Sequence, residues 1–250
     1  TDGARAQVEL VPSASQVLLV GMEAWETRAS PVSHIGLPPA RGGSYDPGDS
    51  RTVLIDDARI QSMGAFIQEE IRFGDVMVTA GARYDAVEGT ADARYDWDSF
   101  TYVTEELENT DHNLAWSLGV NWSLVNALRP YVSLAEGYRS ASLIERYLDY
   151  KQGDGYSLKP DAQLDPERNR SLEFGARGDA GPVSYQVAAY ESRIRDYIGA
   201  RIIDPNNNIK QMVNLDEARI RGVETSLDLR LGSGVNAFLN GTWIRGENED

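Results

Sequence analysis

The sequence predicts an all-β fold, an antiparallel up-and-down arrangement of strands, and two observations support this prediction. The first is hydrophobic alternation with a period of two, which is the side-chain period of a β-strand. In 113–124 every second residue is large and apolar, whereas the residues between them are small or polar. The second is the alternation of short and long connections along the chain. Together these patterns indicate consecutive hairpins.

Each strand is defined by the alternation and by the turn residues that flank it, which divide the chain into about ten strands. The first strand ends near Pro12, which has no backbone donor, and the third and fourth are joined by Gly74 and Asp75, a hairpin signal. Later strands are separated by short turns at 125–128, 178–181 and 232–234. The predicted strands lie near 4–11, 16–28, 58–73, 76–86, 111–124, 129–139, 169–178, 182–198, 211–231 and 234–246.

The remaining connections are long and polar, and they lie near 29–57, 87–110, 140–168 and 199–210. Alternate connections of an up-and-down sheet lie at opposite ends, so the chain has a short-turn end and a long-loop end. A soluble β-sandwich has no reason to separate loop lengths in this way. An outer-membrane barrel has short turns on one side, long outside loops on the other, and tilted strands of about ten residues. The pattern therefore predicts a transmembrane β-barrel segment, with 1–250 forming part of one barrel domain.

Composition excludes several classes of function. A net charge of −15 disfavours a nucleic-acid partner, because the chain would repel phosphate backbones. The absence of cysteine removes disulfides, thiolate metal sites and a cysteine nucleophile. Two histidines leave little material for a hydrolase, so we expect no enzyme, no cofactor and no resident metal. The polar start of the chain contains no leader peptide, which indicates a mature, truncated or internal N-terminus.

Four segments, in order along the chain, carry a resemblance to a known family. The segments are 64–70 with 81–85, 138–143, 164–167 with 173–175, and 214–216 with 218–224. They resemble the barrel of TonB-dependent outer-membrane receptors, although Ala141 stands where the family usually has proline. The motif positions that match are Leu164, Pro166, Glu167, Arg219, Arg221, Gly222 and Glu224. Gly222, inside a strand, also indicates by itself a bulge or close packing against a bulky neighbour.

The resemblance implies a barrel of about 22 strands that is closed by an N-terminal plug. About ten strands do not close so wide a barrel. We therefore expect an internal piece of the barrel wall, without the plug and the last strands.

The function implied by the resemblance is TonB-coupled uptake of a scarce nutrient across the outer membrane of a Gram-negative bacterium. A ferric siderophore-type chelate is preferred, with cobalamin, copper chelates and sugars as other cargoes. Haem is disfavoured, because the family's haem receptors are expected to have a histidine between 138 and 164 and this chain has none there. The implied partners are outer-membrane lipid, the small-molecule nutrient, and periplasmic TonB through the plug. The alternatives are a passive porin-like channel and a soluble β-sandwich or lectin-like binding protein.

Candidate ligand-binding residues come from the third long connection and the strand before it, where aromatic and charged side chains occur together in one stretch. Such a mixture can stack on a chelate or a sugar and donate hydrogen bonds to it. The alternative is that these side chains only solvate a loop. The candidates are Tyr138, Arg139, Glu145, Tyr147, Tyr150 and Tyr156. The acidic residues between 92 and 111 are typical either of oxygen coordination of calcium or of a solvated loop.

Overall fold

The computed structural model describes residues 1–34, 51–96, 99, 101–104, 107–232 and 234–249. These residues form seventeen strands and one short helix, in the order β1 (Asp2–Ser13), β2 (Gln16–Ala29), β3 (Val32–His34), β4 (Arg51–Val53), β5 (Ile55–Asp56), β6 (Ala58–Phe73), β7 (Val76–Thr90), β8 (Ala93–Asp96), β9 (Thr101–Val103), β10 (Glu108–Trp122), β11 (Arg129–Arg139), α1 (Leu143–Tyr147), β12 (Tyr150–Lys151), β13 (Ser157–Lys159), β14 (Glu167–Ala180), β15 (Val183–Asp204), β16 (Ile209–Gly232) and β17 (Val235–Glu249).

Ten long strands form one antiparallel sheet, and each pairs with the next long strand in the chain. The order is β1, β2, β6, β7, β10, β11, β14, β15, β16 and β17, so the predicted all-β, up-and-down fold is confirmed. Successive hairpins keep their registers over most of their length, as in the unbroken pairing from Glu108↔Thr90 to Trp122↔Val76. In the described part of the chain, β1 and β17 each pair on one edge only, so the sheet is open.

The prediction of a loop at 199–210 is wrong, because β15 and β16 continue to pair as far as Asp204 and Ile209. The two strands are 22 and 24 residues long, longer than the predicted pair. Asp204 closes the turn that joins them: its Oδ1 accepts hydrogen bonds from the backbone N–H groups of Asn206 at 2.9 Å and Asn207 at 3.1 Å. A carboxylate that satisfies the turn's backbone donors allows a tight connection where an open loop was expected.

The two faces of the sheet differ in chemistry. One face carries large apolar side chains that are exposed, including Val20, Ile67, Leu114, Leu118, Val132, Leu172, Val223 and Leu239. The opposite face carries small, polar or charged residues, such as Gln68, Thr79, Ser117, Asn121, Glu173 and Gln186. We call them the outer and inner faces, because an apolar exterior and a polar lumen are typical of a membrane barrel wall. No helix in the described ranges is long and apolar enough to cross a membrane.

Aromatic rings on the inner face lie against glycines of the neighbouring strand. Tyr190 of β15 covers Gly222 of β16, and a Cβ placed on Gly222 would lie 2.5 Å from the ring carbon Cζ. Tyr131 covers Gly175 in the same way, with a ring carbon 2.8 Å from the position of a Cβ. The close packing that Gly222 predicts is therefore present, and the glycine is needed because its neighbour occupies the space of a side chain.

We expect Gly222→Ala to destabilise the barrel by about 1–3 kcal/mol, because the new methyl group overlaps the ring of Tyr190. The matched control is Gly246→Ala on β17, where no atom lies within 4 Å of an added Cβ. Urea unfolding of the full-length protein in lipid vesicles, monitored by heat-modifiable gel mobility, measures the difference. Equal stability of the two variants would contradict the packing assigned to Tyr190.

Candidate functional site

The segment 140–166, here called the strap, crosses the inner face of the sheet. It leaves the wall at the end of β11, forms α1, and returns to the wall at β14. Between these points β12 and β13 form a small hairpin, and β13 pairs in parallel with β16 through Ser157↔Ile209 and Lys159↔Gln211. The strap therefore spans the inner side of the wall from β11 to β16 at the long-loop end.

A capping box begins α1, because Ser142 and Glu145 satisfy each other's backbone donors. The backbone N–H of Ser142 donates to Glu145 Oε2 at 2.7 Å, and the N–H of Glu145 donates to Ser142 Oγ at 3.4 Å. This reciprocal arrangement is a strong start signal even for a helix of five residues.

Arg139 connects the wall to the strap through two carboxylates. Its Nε and Nη2 donate to the two oxygens of Glu167 at 2.7 and 2.8 Å, and its Nη1 donates to Glu145 Oε2 at 2.8 Å. Glu167 Oε1 also accepts from the backbone N–H of Ile198 at 2.8 Å. One guanidinium and two carboxylates thus tie β11, β14, β15 and α1 together, and the forked geometry fixes their relative positions.

This network changes the acidity of Glu145. Burial by itself raises the pKa of the Glu145 carboxyl, but hydrogen bonds from Arg139 and Ser142 outweigh burial, so its pKa lies below the ordinary value of 4.5. Because its pKa is depressed in the folded protein, the ionised Glu145 carboxylate stabilises the folded strap at pH values above its ordinary pKa of 4.5.

A buried ion pair holds the strap against β10. Arg146 Nη2 donates to Asp111 Oδ2 at 2.8 Å, and the two side chains are only 2% and 4% exposed. The other nitrogens of Arg146 donate to the backbone carbonyls of Ala162 at 2.7 Å and Ala141 at 3.3 Å. The guanidinium therefore has a partner on each side, which a buried charge requires.

Two further contacts fasten the other half of the strap. Lys159 Nζ donates to the buried Asp149 at 2.7 Å and lies 3.5 Å from Asp96 of β8, which connects the strap to the 91–107 segment. Asn214 of β16 accepts from the N–H of Asp165 at 2.9 Å and donates to the carbonyls of Asp165 and Asp196 at 2.9 and 2.8 Å. A single amide thus replaces backbone pairing at the point where the strap rejoins the wall.

Three long connections share one hydrophobic core with inner-face residues at the long-loop ends of β6 and β7. The buried residues come from β6 and β7, from the connection before β6, from the connection between β7 and β10, and from the strap: Ala58, Ile60, Val87, Ile55, Ala91, Leu107, Leu143 and Tyr147. A second cluster packs the strap on the extended hairpin of β15 and β16, and consists of Ala141, Leu158, Leu164, Ile198 and Met212. The long connections therefore form a packed layer.

The structure separates the six candidate ligand residues into groups. Tyr147, predicted as a ligand-binding residue, is instead wholly buried in the core beneath the strap, and its hydroxyl has no partner among the described residues. Burial also raises the pKa of Tyr147 to about 12, which keeps it neutral. Arg139 and Glu145 hold the strap, as described above. Tyr138 on β11 and Tyr150 of β12 are half-buried.

Tyr156 lies beside a cation from a distant strand. It is half-buried at the turn between β12 and β13, and Lys210 Nζ lies 4.5 Å from the centre of its ring. The same ammonium group donates to Asp154 Oδ2 at 2.6 Å. Lys210 comes from β16, 54 positions away in sequence, so only the fold brings this cation to the tyrosine.

The family-motif residues occupy different places. Leu164 is in the second core cluster and Glu167 in the Arg139 network. Arg219 and Arg221 alternate with Gly222 and Glu224, so the arginines lie on the outer face and the other two on the inner face. Pro166 directly precedes β14.

The acidic residues between 92 and 111 do not assemble a calcium site in the part of the chain that the structure describes. Asp111 is bound to Arg146, and Asp96 lies beside Lys159 and Arg94. Asp98, Glu105 and Glu106 lie outside the described residues. Within the described ranges no group of three or more acidic or histidine side chains converges to hold a metal ion.

A family model described as "TonB dependent receptor-like, beta-barrel" matches residues 11–250. The chain belongs to the TonB-dependent receptor family. Members of this family are β-barrel proteins of the outer membrane of Gram-negative bacteria, so the resemblance and the location predicted from sequence are confirmed. Its relatives are receptors and transporters and not enzymes, as the composition indicates.

Two curated relatives illustrate the range of this TonB-dependent family. The ferrichrome outer membrane transporter and phage receptor of Escherichia coli K12 is 25% identical over 205 residues, covering 81% of this chain and 24% of the transporter. A probable hemoglobin and hemoglobin-haptoglobin-binding protein of Haemophilus influenzae is 25% identical over 171 residues, covering 60% of this chain and 17% of that protein. The chain thus spans a quarter or less of the length of these relatives.

Solved structures show the same barrel wall. The copper transporter OprC superposes with a TM-score of 0.77 at 16% identity, covering 98% of this chain and 38% of that protein. The hemophore receptor HasR of Serratia marcescens superposes with a TM-score of 0.74 at 18% identity, covering 98% of this chain and 41% of HasR. At these identities the likeness establishes the fold.

We expect Asp111→Asn to loosen the strap by about 3 kcal/mol, because Arg146 is left buried without its counter-charge. Hydrogen–deuterium exchange of peptides from 140–166 in the full-length protein measures this change. The matched control is Asp154→Asn, which removes an exposed ion pair with Lys210 in the same segment and should leave exchange nearly unchanged. If both variants exchange like the wild type, the buried pair does not hold the strap.

The depressed pKa of Glu145 predicts a pH dependence of the strap. The stabilisation that the ionised Glu145 carboxylate gives to the folded strap is fully present above pH 4.5, the ordinary pKa of a glutamate. It is lost as the pH falls through the lower pKa that Glu145 has in the folded protein. Protease protection of 140–166 should therefore stay constant from neutral pH down to that range and fall below it. Glu145→Gln should weaken protection at neutral pH and reduce its loss in acid; an unchanged acid profile would show that other carboxyls control it.

Proposed function

We propose that this chain forms part of the wall and the lumenal strap of a receptor that imports a ferric siderophore-type chelate across the outer membrane with energy supplied through TonB. The observation that carries the proposal is the strap itself, an ordered segment fixed across the inner face of a TonB-dependent receptor wall. Family membership supports energised uptake, and the ferrichrome transporter supports an iron chelate as cargo.

The strap favours a receptor over a passive porin. A porin depends on an open aqueous lumen, whereas this wall fixes a folded segment on its inner face. Burial of the Arg146 guanidinium carries a high desolvation cost. Its buried pairing with Asp111 therefore favours one defined arrangement of the strap over a loose loop. The strap is therefore a structured surface suited to contact with a ligand or with a plug.

The chemistry at the end of the strap fits an anionic chelate. Tyr156 offers a ring, Lys210 offers an ammonium group beside it, and Tyr150 lies in the adjoining strand. Rings and cations together bind flat, negatively charged groups by stacking and by charge-assisted hydrogen bonds. The strap supplies no imidazole for a haem iron, which favours a chelate that keeps its own iron ligands over haem.

The test uses the full-length receptor in its own outer membrane. Cells should accumulate radiolabelled ferric chelate, and deletion of the TonB protein should abolish accumulation while leaving binding at the cell surface intact. Uptake that survives this deletion would contradict energised transport and support a passive channel.

The ligand surface is tested separately with Tyr156→Leu. We expect weaker chelate binding by roughly tenfold, because the ring and its contact with Lys210 are lost. The matched control is Tyr197→Leu, which removes a tyrosine of β15 that lies outside the strap. Unchanged binding by Tyr156→Leu would remove this position from the ligand surface without affecting the transport proposal.

A further inference from the structure

The outer face of five neighbouring strands changes from apolar to charged near the long-loop end. The change occurs between residues two apart on the same strand, so both point outward. The pairs are Leu134 and Glu136 on β11, Leu172 and Arg170 on β14, Ala189 and Glu191 on β15, Val223 and Arg221 on β16, and Trp243 and Arg245 on β17. In a membrane wall, such a border marks the depth at which hydrocarbon gives way to headgroups.

Arginines dominate the charged side of this border. The outer arginine cluster comprises Arg168, Arg170, Arg193, Arg195, Arg219, Arg221 and Arg245, all on the outer face of β14–β17. Four glutamates with described side chains share the face: Glu136, Glu191, Glu217 and Glu247. Cations are thus in excess here, although the whole chain has a net charge of −15.

The cluster contains a groove with two chemically different sides. Its volume is about 260 Å³. It is lined by Leu134 and Leu172 toward the apolar band, and toward the long-loop end by four arginines and by Glu136 and Glu191, which are paired with two of those arginines. The lining arginines are Arg168, Arg170, Arg193 and Arg195. The groove is therefore shaped for a molecule that is apolar at one end and negatively charged at the other.

Of the four lining arginines, Arg168 and Arg195 have donors left for a ligand. The other two, Arg170 and Arg193, make ion pairs of 2.8 Å with Glu136 and Glu191, respectively. Arg195 has its nearest carboxylate at 3.9 Å, on Glu217, and its side chain is 67% exposed. Arg168 has no ion pair with any residue in the described ranges. One guanidinium without an ion pair and one with only a long, exposed ion pair, both beside an apolar floor, point to an external anion.

Among the described residues of the other half of the wall, no such excess is found at the same end. There Arg28 is paired with Glu26 and Arg59 with Asp57, each two residues away on the same stretch of chain. Glu88 on β7 and Glu108 on β10 also lie on that outer face. The cluster is therefore local to β14–β17.

We propose that this groove binds a phosphorylated lipid of the membrane leaflet on the long-loop side. Arg168 and Arg195 donate to the phosphate oxygens, and an acyl chain lies over Leu134 and Leu172. Arginine suits this role because its planar fork matches two phosphate oxygens, and because cations near an anionic surface attract its headgroups. The inference depends on the placement of the family in the outer membrane and is independent of the cargo proposed above.

Native mass spectrometry of the full-length receptor tests the proposal. The protein is placed in uncharged detergent micelles doped either with dioleoyl phosphatidic acid or with the same fraction of zwitterionic dioleoyl phosphatidylcholine. We expect preferential retention of phosphatidic acid, and roughly tenfold or greater loss of that retention in the double variant Arg168→Gln/Arg195→Gln. These two arginines are chosen because Arg168 has no ion pair among the described residues, and Arg195 has only the long one with Glu217 at 3.9 Å.

The matched control is Arg28→Gln/Arg59→Gln, which removes two outward charges at the same end of the wall and should retain the lipid. Lysine at positions 168 and 195 should restore part of the retention, which separates charge from misfolding. Inorganic phosphate at equal concentration should not displace the lipid, because it cannot occupy the apolar side of the groove. Equal retention by the glutamine variant and the wild type, equal loss in the control, or displacement by inorganic phosphate would each overturn the proposal.

Discussion

The continuous backbone pairing of ten antiparallel strands is the constraint on which the rest of this structure depends. In a membrane every backbone donor and acceptor must be satisfied within the protein, and a sheet achieves this only through its neighbours. Pairing in a fixed register then assigns each residue to one face, because side chains alternate with a period of two. The apolar exterior, the polar interior and the position of every loop follow from that assignment.

The strap shows how the wall is made specific. Backbone pairing builds a sheet that any sequence with suitable alternation can form, whereas the strap depends on individual side chains. Arg146 and Asp111 are buried as a pair, and Arg139 bridges Glu145 and Glu167. Each contact is strong only because its partners are fixed by the sheet, and each fixes the strap in return. The lumen therefore acquires a defined surface at the long-loop end.

Short motifs typical of the family gain physical roles in this structure. Glu167 supplies an acceptor to a backbone N–H of β15 and a counter-charge to Arg139. Asn214 replaces missing backbone partners where the strap rejoins the wall. Gly222 is small because Tyr190 fills the space above it. These roles depend on contacts between segments that are distant in sequence. For this reason the motifs identify the family but do not reveal what each residue does.

The sequence by itself determined the fold class and the ten long strands of the wall. These features depend on local alternation and turn chemistry, which a linear pattern contains in full. It did not determine that Tyr147 is buried, that Lys210 reaches Tyr156, or that β15 and β16 extend as one long hairpin. Those properties arise when residues far apart in the chain meet, because burial and ion pairing depend on the neighbours in space. Tertiary structure alone decided which polar residues hold the strap and which remain available to a ligand.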